Sequence, residues 1–322
     1  MWFLALALLG LGLLYRWYRQ RQILENLSDK YVFITGCDTG FGNLLAKQLD
    51  KRGMKVLAAC LTEKAAENLK NETSSRVQTI VLDVTDSKNV RSATKWVSTI
   101  VKDKGLWGLV NNAGIGIPGA TNEWLTTDDF LKVLKVNLLG VIDVTLNMLP
   151  MIRKTKGRLV NVGSAAGRIS ISSGGYGMSK NGIESFSDSL RREMLPFGVK
   201  VSIIEPGFFK TELTNPELHK KSIKHLWDQA SEEVKKSYGP EYFNKSYGFV
   251  DAMASFCSTK LSHATDCMEH ALTAVHPWTR YSAGWDTKLI LLPLSYMPTV
   301  LTDFLLTMGQ PKPAQVFSSS SK

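Results

Sequence analysis

The chain has 322 residues, 44% of them hydrophobic and 21% charged, which excludes a disordered or low-complexity protein for most of its length. Its formal net charge of +10 is scattered, without dense basic runs or interleaved stacking aromatics; nucleic acid is therefore set aside, and an anionic membrane surface or an anionic cofactor remains. Four cysteines (Cys37, Cys60, Cys257, Cys267) form no C-x-x-C pair or disulfide framework, and the five histidines show no ligand spacing, so no metal is expected.

The first segment, MWFLALALLGLGLLY, carries no charge and is followed by Arg16, Arg19 and Arg21 among Tyr15, Trp17 and Tyr18. As a helix, about 15 to 18 such residues cover roughly 22 to 27 Å, slightly short of a ~30 Å hydrocarbon core but within reach of a thin endoplasmic-reticulum bilayer. A cleaved signal peptide carries its positive charge ahead of the apolar run; here the arginines follow, so residues 1–22 read as an uncleaved membrane anchor. The positive-inside tendency places the following domain on the cytosolic side. The sequons beginning at Asn26, Asn71 and Asn244 would matter only on the luminal side.

From Lys30 onward, short β-branched runs alternate with longer amphipathic ones, the sequence sign of βαβ units. Strands are predicted at 31–35, 55–60, 77–82, 108–112, 158–163 and 199–205, with a seventh at 280–284, and helices at about 40–52, 63–70, 86–103, 126–153 and 176–196. Strands so uniformly apolar suit a parallel sheet buried on both faces. No linker interrupts the series, so residues 23–285 read as one doubly wound α/β domain with helices on both faces of the sheet. Within the C-terminal segment 286–322, the apolar stretch 289–308 is broken by Pro293 and Pro298 and reads as a hydrophobic flap or membrane-dipping segment; the final GQPKPAQVFSSSSK (309–322) reads as a disordered tail.

TGCDTGFG (Thr35 to Gly42) leaves the first strand and opens the first helix of the domain. Gly36 allows the tight turn, Gly40 close approach of backbone to a pyrophosphate, and Gly42 close helix-to-strand packing, with the helix N-terminus facing the phosphates. NAD and NADP are told apart at the adenosine ribose, where an acid bonds a 2′-hydroxyl and a base pairs with a 2′-phosphate. Asp38 adds negative charge there and points to NAD, with NADP the less favoured cofactor; the alternative is that Asp38 only caps the turn or the helix.

Tyr176 and Lys180 are four residues apart, so a helix presents both on one face, and Ser164 closes the strand RLVNVGS at the ligand-binding edge of such a sheet. Oxidising an alcohol requires a base for its hydroxyl proton; a phenolate serves if its pKa falls from ~10 toward neutrality. A lysine ammonium about 4 Å away, at an effective dielectric near 20, is worth about 4 kcal/mol, roughly three pKa units. Ser164 can hold the substrate oxygen. Taken singly, each residue has an ordinary reading: a packed aromatic, a solvated lysine, a strand-end hydroxyl.

The order and spacing of TGCDTGFG, NNAG (Asn111 to Gly114), Asn137 in LKVNLLG, Ser164 with Y-x-x-x-K at 176–180, and EPGFFKTEL (205–213) resemble the short-chain dehydrogenase/reductase family over about residues 29–285. The resemblance implies a Rossmann-type fold and a Ser164–Tyr176–Lys180 centre, with Asn137 supporting a proton relay. It also implies a dinucleotide site formed by Thr35, Gly36, Asp38, Gly40, Phe41 and Gly42, by Asp83 and Val84, by Asn112, Ala113 and Gly114, by Tyr176 and Lys180, and by Pro206, Gly207 and Thr211. More narrowly, the chain looks like the microsomal retinol dehydrogenase and 17β/3α-hydroxysteroid dehydrogenase branch. That branch implies NAD, an endoplasmic-reticulum membrane, and a lipophilic alcohol such as all-trans-retinol or an androgen. Gly163 departs from the pattern, where a serine often precedes the catalytic one, and so does Asn181, where an aromatic commonly follows the lysine.

Past the PG turn, Phe208, Phe209, Trp227, Tyr238, Tyr242, Phe243, Tyr247 and Phe249 suggest an aromatic lid over residues 208–250 for a greasy alcohol; core packing of a helical insertion explains any one of them equally well. Two helices of such a sheet could also pair two copies into a homodimer. An NADP-linked carbonyl reductase and a non-catalytic lipid-binding or scaffold protein are the rival readings.

Overall fold

A computed structural model describes residues 2–171 and 173–319. Met1 of the expected anchor and the last three residues of the expected tail lie outside the described residues. The sheet has seven parallel strands in the order β3-β2-β1-β4-β5-β6-β7. They are β1 (Tyr31–Thr35), β2 (Lys55–Cys60), β3 (Val77–Val81), β4 (Gly108–Asn111), β5 (Arg158–Val162), β6 (Lys200–Pro206) and β7 (Arg280–Ala283). The expected doubly wound α/β sheet is therefore present, each strand within a residue or two of its predicted place.

Alternation along the strands feeds two apolar layers. Val32 and Ile34 of β1 point into one, with Leu45 and Leu49 of α2 (Gly40–Lys51) and Ala66 and Leu69 of α3 (Glu63–Asn71). Phe33 points into the other, with Val90 and Val97 of α4 (Ser87–Val101), then Val144, Met148 and Ile152, and then Leu190 and Met194. The first layer is completed by Met268 and Leu272 of a helix at Ser262–Thr273 that the strand and helix pattern does not predict.

The single helix expected at 126–153 is three pieces: α5 (Thr127–Leu134), a π-helical turn (Lys135–Gly140) and α6 (Val141–Thr155). A capping box between Thr126 and Asp129 starts it. The whole run is long and apolar enough to cross a membrane by length and composition. Its Val133, Val144, Met148 and Ile152 are fully buried, as in the core helix of a sheet protein.

The chain continues through α7 (Gly175–Met194), α8 (Pro216–Gln229), α9 (Glu232–Phe256, kinked at Gly239) and α10, the helix at Ser262–Thr273. Beyond β7 come a π-turn at Thr287–Leu291, α11 (Leu292–Ser295), α12 (Thr299–Thr307) and α13 (Ala314–Ser319). The last is a short helix against α9 where a disordered tail was expected. The break between α11 and α12 falls at Met297-Pro298, as the prolines require.

At the other end of the chain, α1 (Trp2–Arg21) holds its described leucines, among them Leu6, Leu9 and Leu14, in the open. Its exit is pinned to the segment that enters β7. Leu24 N–H donates to the Thr273 carbonyl (2.8 Å), Val275 N–H to that of Gln22 (2.9 Å), and Arg19 bonds the His276 ring (3.0 Å). His270 bridges the Gln20 carbonyl and the Tyr281 hydroxyl. The apolar N-terminal helix thus leaves from the amino-terminal edge of the sheet.

Polar groups inside the second layer are paired. Asn111 donates to Thr145 and to Asn161 (2.8 Å each), and Asn161 donates to Ser187 (2.8 Å), tying β4 and β5 to α6 and α7. Deleting one member leaves buried partners unpaired, at about 1–3 kcal/mol each. Asn161→Ala is expected to lower the thermal midpoint by several degrees, read by differential scanning calorimetry, with the secondary-structure signal of the native protein retained below the transition.

Candidate active site

Strand order reverses between β1 and β4, and the carboxyl ends on either side of that point form the crevice where such sheets bind ligands. The two tips are laced together. The Thr35 hydroxyl accepts the N–H groups of Asn112 (3.0 Å) and Ala113 (3.1 Å), and the Asn112 amide donates to the carbonyls of Thr35 (3.0 Å) and Gly36 (2.9 Å). Asn112 is therefore committed to shaping the turn. At Gly36, φ is +70° and a Cβ would stand 2.7 Å from Ala113 Cα; at Gly42 it would stand 2.3 Å from the Gly36 carbonyl oxygen. Only hydrogen fits at either place, so α2 can start directly against the turn. Thr39 occupies the cap of α2 without a side-chain bond to its first-turn N–H groups, which suits an anion there.

Asp38 reaches across to the end of β2, accepting Leu61 N–H (2.8 Å), Thr62 N–H (3.2 Å) and the Thr62 hydroxyl (3.3 Å). Asp38 therefore caps neither the turn nor α2, and its carboxylate clamps the loop after β2 instead. It also fixes a negative charge where the adenosine ribose lies in folds of this kind. Asp83, beyond β3, is exposed and accepts Thr85 N–H (2.8 Å). Val84 beside it is buried against Gly140, where a Cβ would meet Val84 at 2.9 Å.

The three residues Ser164, Tyr176 and Lys180 come together at the carboxyl end of β5. Ser164 accepts Ala166 N–H (3.1 Å), and its hydroxyl is near enough to the Tyr176 phenol to lower its pKa. Lys180, 4% exposed, donates to the Val162 carbonyl (2.8 Å), and its Nζ lies 5.7 Å from the centre of the Tyr176 ring. Burial pulls the lysine down to about 8 against a raising contribution from Glu184. Tyr176 differs from expectation: burial raises it above the usual phenol value, and the nearby Ser164 hydroxyl draws it partly back. In the polypeptide alone, desolvation of the phenolate sets the direction, and the Lys180 ammonium is bonded to the Val162 carbonyl.

Asn137 sits in the π-turn, fully buried, donating to the Ile115 carbonyl (2.9 Å) and to Ser179 (3.1 Å) and accepting Ile115 N–H (2.8 Å). Its side chain so fastens the β4–α5 loop to α7. A Cβ on Gly114 would stand 3.3 Å from Asn137 Oδ1 and 3.8 Å from Lys180 Nζ, which places all three at one spot. A π-bulge inside an α-helix is often found at such a site.

Pro206 and Gly207 end β6, and Phe208 N–H donates to Asp286 (2.6 Å). A Cβ on Gly40 would lie 3.5 Å from the Thr211 methyl, and Phe41 meets Phe209 edge-on at 5.3 Å, so the 206–211 segment lies over the glycine turn. Phe208, Leu291, Leu294 and Leu306 form a small apolar cluster with Ala165 and Ile169, the loop just after Ser164.

The other lid aromatics behave differently. Trp227, Tyr238, Tyr242 and Phe243 gather around Trp124, at centroid distances of 4.8 to 6.5 Å, while Phe249 is exposed. This is the core packing of a helical insertion, and Trp124, its centre, was not singled out in the sequence.

Sequence reasoning also missed a buried ion network behind the three residues. Glu205, 1% exposed, holds Arg168 (3.0 Å) and lies 3.5 Å from Arg280. Arg280 also bonds Glu184 and Asp188 (3.0 Å each), and Arg168 bonds the Tyr296 hydroxyl (2.5 Å). Glu184 follows Lys180 by four residues on the same face, a spacing visible in the sequence once Lys180 is known to be buried.

A seven-stranded doubly wound sheet with a glycine turn at its switch point and a Ser-Tyr-Lys cluster beside it defines a dinucleotide-fold oxidoreductase. The chain belongs to the short-chain dehydrogenase family, whose sequence model, described as short chain dehydrogenase, matches residues 30–222. It is 58% identical over 315 residues to retinol dehydrogenase 7 of Rattus norvegicus, covering 98% of this chain and 99% of that one. It is 56% identical to 17-beta-hydroxysteroid dehydrogenase type 6 of Homo sapiens, with the same coverage. A short-chain dehydrogenase/reductase from Burkholderia phymatum, solved in complex with NAD, has the same fold, with a TM-score of 0.69 and 20% identity over 90% of this chain and 98% of that one.

Gly42→Ala tests the turn. Its methyl would collide with the Gly36 carbonyl, so dinucleotide affinity should fall at least tenfold, measured by quenching of intrinsic fluorescence, with the fold retained by circular dichroism.

Proposed function

We propose that the protein is an NAD-dependent alcohol dehydrogenase acting on a lipophilic alcohol, all-trans-retinol or a 3α- or 17β-hydroxysteroid, in the oxidative direction. The observation that carries this reading is the convergence of Ser164, Tyr176 and Lys180 beside a turn whose Gly36 and Gly42 tolerate no Cβ. The substrate class is supported by the names of the two relatives, both dehydrogenases of lipophilic alcohols. NAD over NADP is supported by the Asp38 carboxylate at the end of β2, which would repel a 2′-phosphate.

The residues present fit the dinucleotide. The α2 N-terminus and the glycine turn would hold its pyrophosphate, Asp38 its ribose, and Lys180, with the 206–211 segment, the nicotinamide half. Once bound, NAD supplies the hydride acceptor. The chain supplies the rest: the Ser164 hydroxyl holds the substrate oxygen, and Tyr176 Oη takes the alcohol proton. The Lys180 ammonium, anchored on the Val162 carbonyl, stabilises the phenolate that accepts this proton. Asn137 keeps the β4–α5 loop against this centre and would support proton transfer out of it. Because burial raises Tyr176, its base form grows toward alkaline pH, and alcohol oxidation should accelerate in that direction.

Residues 1–22 are proposed as an anchor in the endoplasmic-reticulum membrane with the domain on the cytosolic side, supported by the exposed leucines of α1 and the arginines that follow them. A lipophilic substrate would then be drawn from the same bilayer.

Tyr176→Phe should reduce retinol or hydroxysteroid oxidation at least a thousandfold while leaving NAD affinity within a few fold; a variant that keeps its rate refutes the reading. Asp38→Arg should reverse the cofactor preference, measured as the ratio of kcat/KM for NAD and NADP. Better use of NADP by the unaltered protein would favour the reductase instead.

A further inference from the structure

Glu184 is a buried carboxyl group on the catalytic helix, one turn beyond Lys180, and the proposed chemistry gives it no task. Its two oxygens differ. Oε2 accepts two bonds from Arg280 (3.1 and 3.0 Å), whereas Oε1 is buried with no hydrogen-bond partner. That oxygen faces Gly163, where a Cβ would stand 3.1 Å from it, between the residue whose carbonyl holds Lys180 and the serine of the candidate centre. A serine at position 163 would bring a hydroxyl donor to this spot; glycine brings none.

We propose that Glu184 is a positioning residue that keeps the charge on Lys180, and that Gly163, by withholding a donor from one of its oxygens, sets how firmly it does so. The proposal rests on Tyr176 and Lys180 forming the reacting pair.

The groups facing Glu184 come from four elements: Lys180 and Asp188 on its own helix, Glu205 on β6, Arg280 on β7 and Arg168 from the loop after β5. Burial first, then the neighbouring Glu205, raises Glu184 to about 7 against the pull of Arg280 and Arg168, while burial lowers Lys180 to about 8 with Glu184 opposing. The two groups are coupled: the Glu184 carboxylate favours the Lys180 ammonium, and a protonated Glu184 does not. A donor on Oε1 stabilises the carboxylate and so the ammonium; removing the carboxylate leaves the ammonium to desolvation alone. A charged lysine, unlike a neutral one, favours the Tyr176 phenolate, so the effect should appear in the pH dependence of alcohol oxidation.

The test compares Glu184→Gln and Gly163→Ser with the unaltered protein, by the pH at which kcat reaches half its alkaline maximum. Glu184→Gln should move this midpoint up by about one pH unit, and Gly163→Ser should move it down by a few tenths. Infrared titration of the protein without cofactor should show the carbonyl stretch of a protonated buried carboxyl near neutral pH, missing in Glu184→Gln and vanishing at lower pH in Gly163→Ser. An unchanged midpoint in a folded Glu184→Gln, or shifts of the same sign in both variants, overturns the proposal. If Glu184→Gln does not fold, a Gly163→Ser midpoint that stays or rises overturns it alone. Failure of the underlying reading would show instead as an active Tyr176→Phe.

Discussion

The structure depends on the contact between the tips of β1 and β4. There the Thr35 hydroxyl and the Asn112 amide cross-link two neighbouring strands at the point where the sheet changes direction. A crevice opens at such a point because the connections from the two strands depart to opposite faces. Without the lacing, the glycine turn would have no fixed height above the sheet, and α2 could not begin where its first-turn N–H groups converge. Gly36 and Gly42 are required by backbone packed against backbone, a stricter demand than loop flexibility.

A second level of support lies behind Ser164, Tyr176 and Lys180. Helix α7 carries Tyr176 and Lys180 on one face and Glu184 and Asp188 further along, and the latter pair is held by Arg280 on β7. Arg168 extends the same charge balance to the loop after Ser164 and to Tyr296 in the C-terminal segment. A buried ion pair stabilises little by itself, but removing one partner costs about 3–5 kcal/mol. The network therefore acts as a set of mutual constraints that keep helix, loop and strand in register. Val162, whose carbonyl anchors Lys180, lies inside that frame.

Much of the site was legible because its parts are local. A turn of TGCDTGFG after an apolar strand, and a tyrosine four residues before a lysine on an amphipathic helix, each specify geometry within one element. The aromatic residues at 227–243 were legible as a group but not by direction, because helical spacing cannot say whether a ring turns toward a substrate or toward Trp124. Tyr176 shows the same limit in energetic form. Sequence supplies its partner cation, but the sign of its shift follows from how deeply the phenol is buried and where the ammonium points.

What the sequence alone determined is the series of strands and helices, the parallel sheet, the glycine turn and the choice of Ser164, Tyr176 and Lys180 as the candidate centre, since these rest on periodicity and spacing along the chain. Tertiary structure decided which carboxylates meet which arginines across residues 168, 184, 205 and 280, that Asp38 clamps the loop after β2, and that the C-terminal segment packs on the loop after Ser164. Those contacts join residues far apart in the chain, and their energies depend on burial and orientation, quantities that exist only once the chain has closed on itself.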